Sequence, residues 1–112
     1  MTPLGSLRSA LTDRLASQWI ALGVTLVGRA DRSIVDLEAL VAMTAGFAND
    51  EPRIYEGAID WCVAFGEVVH SGRLRVVAAE LGVRAELVGT FAGMVGAAGG
   101  PRWPMASAPV FP

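Results

Sequence analysis

Apolar residues recur at intervals of three and four from the start of the chain: Leu4, Leu7, Leu11, Leu15, Trp19 and Leu22. Ser6, Ser9, Thr12, Asp13 and Gln18 fall between them. That period places one apolar stripe along a helix. Thr2-Pro3 supplies a capping hydroxyl and a proline for the first turn, and Gly23 supplies the stop. The β-branched residues that open Val24 to Ser33 predict a short extended segment running into a loop at Gly28-Arg29-Ala30-Asp31. Ser33 followed by Asp36 is a variant of the capping box and predicts a second helix, with Leu37, Leu40, Val41, Thr44, Phe47 and Ala48 on its inner face. Asn49-Asp50-Glu51-Pro52 ends that helix and opens a third, with Asp50 as its cap. Ile54, Ala58, Ile59, Trp61, Cys62 and Phe65 form the third stripe, which Gly66 terminates.

Glu67 to His70 is short enough for a β-bridge, half of a small hairpin, or an extended turn. Ser71 then caps a fourth helix whose inward residues are Leu74, Val77, Ala78 and Leu81, and Gly82 closes it. Arg84 to about Ala97 predicts a fifth helix carrying Leu87, Val88, Phe91, Met94 and Val95. Gly89, Gly93 and Gly96 each cost it about 1 kcal/mol relative to alanine, so it depends on packing more than on propensity. After Ala98 the period disappears and four prolines follow. The expectation is an all-α bundle of four or five helices over residues 1–98 and a proline-rich tail over 99–112. Trp103, Met105, Val110 and Phe111 make that tail apolar, and Trp103 is expected to dock beside the glycine-rich fifth helix.

Composition changes this picture in one respect. Apolar residues make up 53% of the chain and charged residues 18%, against typical values of about 45–50% and about 25%. One small core does not absorb that surplus, which predicts a protein partner, a homo-oligomer or further chain. Nine arginines, with no lysine, face eleven acids for a net charge of -2, which is not the charge of a typical phosphate-binding domain. The longest uncharged run, Leu87 to Pro101, falls below the roughly 18 apolar residues that make a span, and six of its residues are Gly or Pro. No membrane segment is expected. Arg8, Asp13 and Arg14 interrupt any signal-peptide core, and a lone cysteine suits a reducing, cytoplasmic setting.

The stretch Gly72 to Gly96 has the rhythm of a helix-turn-helix. Ala78 or Ala79 is the small residue of the first helix, Gly82 the turn glycine and Val88 the residue that packs back. Arg73, Arg75 and Arg84 are the candidate phosphate contacts and Thr90 a candidate polar contact on the second helix. From Glu67 to Gly96 those three arginines are balanced by Glu67, Glu80 and Glu86. Three cations limit the salt slope to about 3, a weak hold on DNA for a monomer.

Asp60, Cys62, Glu67 and His70 lie within eleven residues, but one Cys with one His does not close a structural zinc site, and Cys62 falls on an apolar stripe. The same residues give no oriented Cys-His pair. No metal, cofactor or small-molecule ligand is therefore expected, and no catalysis. Gly89-x-x-x-Gly93 permits close helix packing.

Asp36 to Leu81 resembles a group of uncharacterised proteins of high-GC bacteria that share an Asp-Pro-Arg-like turn, a Trp-bearing helix and an Arg-Leu run. Pro52-Arg53, Asp60-Trp61 and Arg73-Leu74 are the matching positions. The resemblance implies a helical, winged-helix-related region near antitoxin-type regulators, and no catalytic residue. The expected function is a small non-enzymatic regulatory or adaptor domain acting through protein contacts. The alternative is a DNA-binding transcriptional regulator acting as a dimer.

Overall fold

A computed structural model describes residues 3–24 and 36–104, with the side chains of residues 3–8 excepted. Those residues form five α-helices: α1 Pro3–Ala21, α2 Leu37–Phe47, α3 Pro52–Phe65, α4 Ser71–Glu80 and α5 Ala85–Ala97. The extended segment expected after Val24 and the apolar residues after Pro104 lie outside the described residues. Among those described there is no strand: the stretch expected to bridge or extend is a 3-10 turn, Gly66–Val68. The helix simply tightens after Phe65, and the N–H of Val69 closes onto the carbonyl of Gly66 at 3.0 Å.

α2 is the centre of the bundle and touches each of the other four helices. α1 and α3 pack on it and on each other, α4 and α5 do the same, and α3 against α5 closes the ring. Leu40, Val41, Ala42, Thr44, Ala45 and Ala48 are all buried, so α2 is covered nearly all round and not along one stripe. Its small residues make this possible: a Cβ on Gly46 would sit 2.7 Å from Cγ1 of Val83 in the turn after α4. Phe47, expected inside, is exposed because the helix ends there. Phe65, Leu81 and Met94 likewise face outward at or near helix ends.

The helix ends follow local chemistry. α1 and α4 finish with Gly23 and Gly82 at φ +102° and +76°, and in both the N–H two residues beyond the cap returns to the last turn: Val24 to Trp19 and Val83 to Ala78. The N-terminal caps differ from expectation. Asp36 is itself the cap of α2, its carboxylate accepting from the N–H of Ala39 at 3.2 Å, so it does not stand three residues into a helix begun at Ser33. Glu51, with no side-chain bond, precedes Pro52 where Asp50 was expected, since proline at the first helical position has no N–H to satisfy. His70, and not Ser71, caps α4.

Three tryptophans tie the elements together, and each indole N–H has a partner. Trp19 donates to the Thr44 hydroxyl at 2.8 Å, which passes its own proton to the Leu40 carbonyl at 2.8 Å. Trp61 donates to the Leu22 carbonyl at 3.2 Å, linking α3 to the end of α1, and its ring meets Trp19 edge-on at 5.7 Å. Trp103 donates to the Gly66 carbonyl at 3.1 Å.

Candidate functional site

The residues proposed to meet DNA lie on α4 and α5, two helices joined by Leu81 to Arg84. Ala78 and Val88 are buried on either side of that turn. Arg73 lies in the first turn of α4, whereas Arg84 lies past the turn that ends α4, at the cap of α5. Arg73 is exposed, with its guanidinium bonded to Asp36 at the cap of α2 and 3.3 Å from Glu38 in the first turn of that helix. The bonded arginine holds the Asp36 carboxyl below its usual range, and the Asp36 carboxylate raises Arg73 in turn. Arg84 caps α5 without a side-chain bond and sits 3.8 Å from Glu86. Thr90 turns its hydroxyl back onto the Glu86 carbonyl at 2.8 Å, one helical turn earlier. Arg75 is exposed and makes no ion pair among the described residues. Of the three candidate arginines, Arg73 and Arg84 thus stand beside carboxylates.

A polar centre that sequence reasoning missed joins α2 to α4. His70 accepts the N–H of Arg73 on its Nδ1 at 3.1 Å, while the backbone N–H of His70 donates to Glu38 at 2.9 Å. This is a capping box divided between two helices, with the returning carboxylate supplied by α2 instead of by α4 itself. The signal was present in one residue. Glu38 is the lone charge in the apolar run from Leu37 to Ala48, and an acid in a buried helix must find donors.

Cys62 faces the core, fully buried, and desolvation pushes its thiol up to about 12, which disfavours the thiolate. Asp60 and Glu67 point outward and His70 belongs to the α4 cap. Among the described residues no cluster of three metal-ligating side chains exists.

Beyond α5 the chain turns back. Gly99 has φ +99°, and the N–H of Gly100 closes on the Val95 carbonyl at 2.9 Å. Gly100 then passes so close to α3 that an added Cβ would fall 2.9 Å from Cα of Val63. Pro101 and Trp103 cover Gly66, with Trp103 half-buried. Its ring forms one wall of an open groove of about 340 Å³ floored by Gly89, Gly93 and Gly96, and does not fill it.

No protein-family model, curated protein or solved structure matches the chain.

Proposed function

We propose that the chain is a small non-enzymatic regulatory or adaptor domain of helix-turn-helix type, cytoplasmic, that acts through contacts with protein. The single observation that carries this reading is that two of the three candidate DNA-contact arginines stand beside carboxylates. Arg73 is committed to Asp36 and Glu38, and Arg84 stands beside Glu86. A guanidinium bound to carboxylates must leave them before it serves a phosphate, and leaving exposes two acids that repel DNA. Arg75 is then the one candidate contact with no carboxylate beside it among the described residues, and a single cation contributes a salt slope of about 1. The exposed side chains of Phe65, Val68, Val76 and Met94 are of the kind that protein partners cover. The α4-turn-α5 unit, with Ala78 and Val88 packed at the turn, supports descent from DNA-binding domains, and the resemblance to winged-helix-related bacterial proteins is part of the same reading.

The test is fluorescence anisotropy with a labelled duplex at physiological salt. Binding no tighter than the non-specific range, about 1 µM to 0.1 mM, and unchanged in Arg84→Ala, is the expected outcome. Tight binding that Arg84→Ala abolishes would replace this reading with that of a dimeric DNA-binding regulator.

A further inference from the structure

The cap of α4 is a side chain that changes its hydrogen-bonding capacity with protonation. Neutral imidazole keeps a lone pair on one ring nitrogen, whereas the protonated ring is a donor at both. Here the acceptor is Nδ1 of His70, which takes the N–H of Arg73 at 3.1 Å, so the ring is neutral and carries its proton on Nε2. The ring is exposed and lies over the first turn of the helix: a Cβ on Gly72 would stand 3.4 Å from Cε1 and 3.6 Å from Nδ1. Solvent therefore brings protons to the nitrogen that makes the cap.

The charges around the ring come mainly from α2. Asp36 and Glu38 face the start of α4 and share Arg73, while Arg14 of α1 lines a cleft together with Asp36. Glu67, three residues before His70 on the 3-10 turn, is exposed. α5, also packed on α4, has no charged residue after Glu86 until Arg102 in the segment beyond it, and Glu86 stands with Arg84 past the far end of α4. A protonated ring loses the bond to Arg73 and sets a positive charge on the positive pole of α4, which repels it. The same ring gains a carboxylate. Glu38 Oε2 already holds the backbone N–H of His70 at 2.9 Å, which puts it within reach of the ring of that residue after rotation about the Cα–Cβ bond. A charge-assisted bond is roughly twice as strong as a neutral one, so protonation exchanges one partner for another.

We propose that His70 is a pH-operated cap: neutral, it closes the first turn of α4 through the Arg73 N–H, and protonated, it swings to the Glu38 carboxylate and the turn opens. Arg73 keeps Asp36 but then shares Glu38 with the ring, so the α2–α4 junction loosens at this end while Gly46 against Val83 holds the other. Asp36, held below the ordinary carboxylate range by Arg73, stays charged through this change and titrates only in stronger acid. The device is independent of what the domain binds.

The experiment follows the full chain by amide and imidazole NMR from about pH 8 to about pH 5, the span in which imidazole ordinarily changes charge. His70 is the one histidine of the chain, so the imidazole signals belong to it. The Arg73 amide proton is expected to move upfield, as a released N–H does, and its exchange protection, corrected for the intrinsic effect of pH, to fall about fivefold, the worth of a typical cap. Both changes should share the midpoint of the imidazole signals. His70→Asn retains a capping oxygen and has nothing to titrate, so its Arg73 amide should hold still over the same range. Glu38→Gln keeps an acceptor for the His70 N–H but gives the charged ring no carboxylate, and its turn should open at lower pH than in the parent. Glu67→Gln should displace the midpoint less than Glu38→Gln does. Far-UV circular dichroism matching the parent at neutral pH shows that each variant is folded, and His70→Asn, at an exposed position, decides the question even where Glu38→Gln does not fold. An Arg73 amide that keeps its shift and protection while the ring titrates would overturn the proposal. So would the same movement in His70→Asn, or a Glu38→Gln midpoint at the parent value.

Discussion

At the scale of single residues the bundle depends on polar bonds made inside an apolar interior. Trp19 is fully buried, and its N–H reaches water nowhere; the Thr44 hydroxyl is its acceptor. Thr44→Val keeps the shape and removes that acceptor, leaving a buried donor unpaired at a cost of about 1–3 kcal/mol, read as a lower urea midpoint. Thr44→Ser retains the hydroxyl and should lose much less. His70 offers a second test. Loss of the α4 cap in His70→Ala should cost about 1 kcal/mol, whereas His70→Asn supplies another cap acceptor and should sit near the parent. The positions of Trp19 and Thr44 on inner faces were legible from spacing; their bond was not, because it joins residues 25 apart. The capping role passed from Ser71 to His70 for a similar reason. Glu38 holds the backbone of His70 from another helix, and no local pattern encodes that contact.

Between elements, the same contacts set direction. Asp36 and Glu38 at the start of α2 meet His70 and Arg73 at the start of α4, and Gly46 near the end of α2 meets Val83 just past the end of α4. The two helices therefore run parallel, with their positive N-terminal poles side by side. Parallel dipoles repel, and the Asp36 and Glu38 carboxylates at the shared end offset this. Arg73, bonded to Asp36, keeps its carboxyl below the ordinary value, with the Ala39 N–H adding to the effect. A carboxyl depressed in the folded state adds stability that is complete above its unfolded value, near 3.8, and lost as pH falls through the folded value. Stability should accordingly decline below about pH 4 in the parent. Asp36→Asn keeps a good capping side chain but carries no charge, so its unfolding midpoint should lie below the parent at neutral pH and converge with it in acid. A gap that persists unchanged down to the lowest pH would mean that the Arg73 pair does not operate. Helix existence and the glycine stops at Gly23 and Gly82 were readable from period and composition. The parallel pairing was not, since it is set by side chains 30 or more residues apart.

For the molecule as a whole, the five stripes correctly foretold an all-α bundle but not which helix lies at its centre. A helix covered on every side differs from one covered along a stripe chiefly in lacking charge, and α2, with Glu38 as its one charged residue and Ala39, Ala42, Ala45 and Gly46 as small ones, has that character. The arginines read differently in three dimensions because sequence shows their number and not their partners. The chain after α5 adds a constraint of its own. Gly100 lies against the backbone of Val63 and Trp103 bonds to Gly66, so the segment fastens α5 to the end of α3 across the side of the bundle. Fully burying such a ring contributes about 1.5–3 kcal/mol, and Trp103 is half-buried, so Trp103→Ala should cost roughly 1–2 kcal/mol. In a domain of this size that lowers the unfolding midpoint by roughly 4–16 °C. Trp103→Phe keeps most of the apolar contact and gives up the bond to Gly66, and should fall between the parent and Trp103→Ala. Pro101 still covers Gly66 in both variants, so the loss should be graded and not complete. If Trp103→Ala unfolds at the parent temperature while Gly100→Ala, which forces a Cβ against Val63, is strongly destabilised, the fastening resides in the backbone crossing and the indole contributes nothing to it.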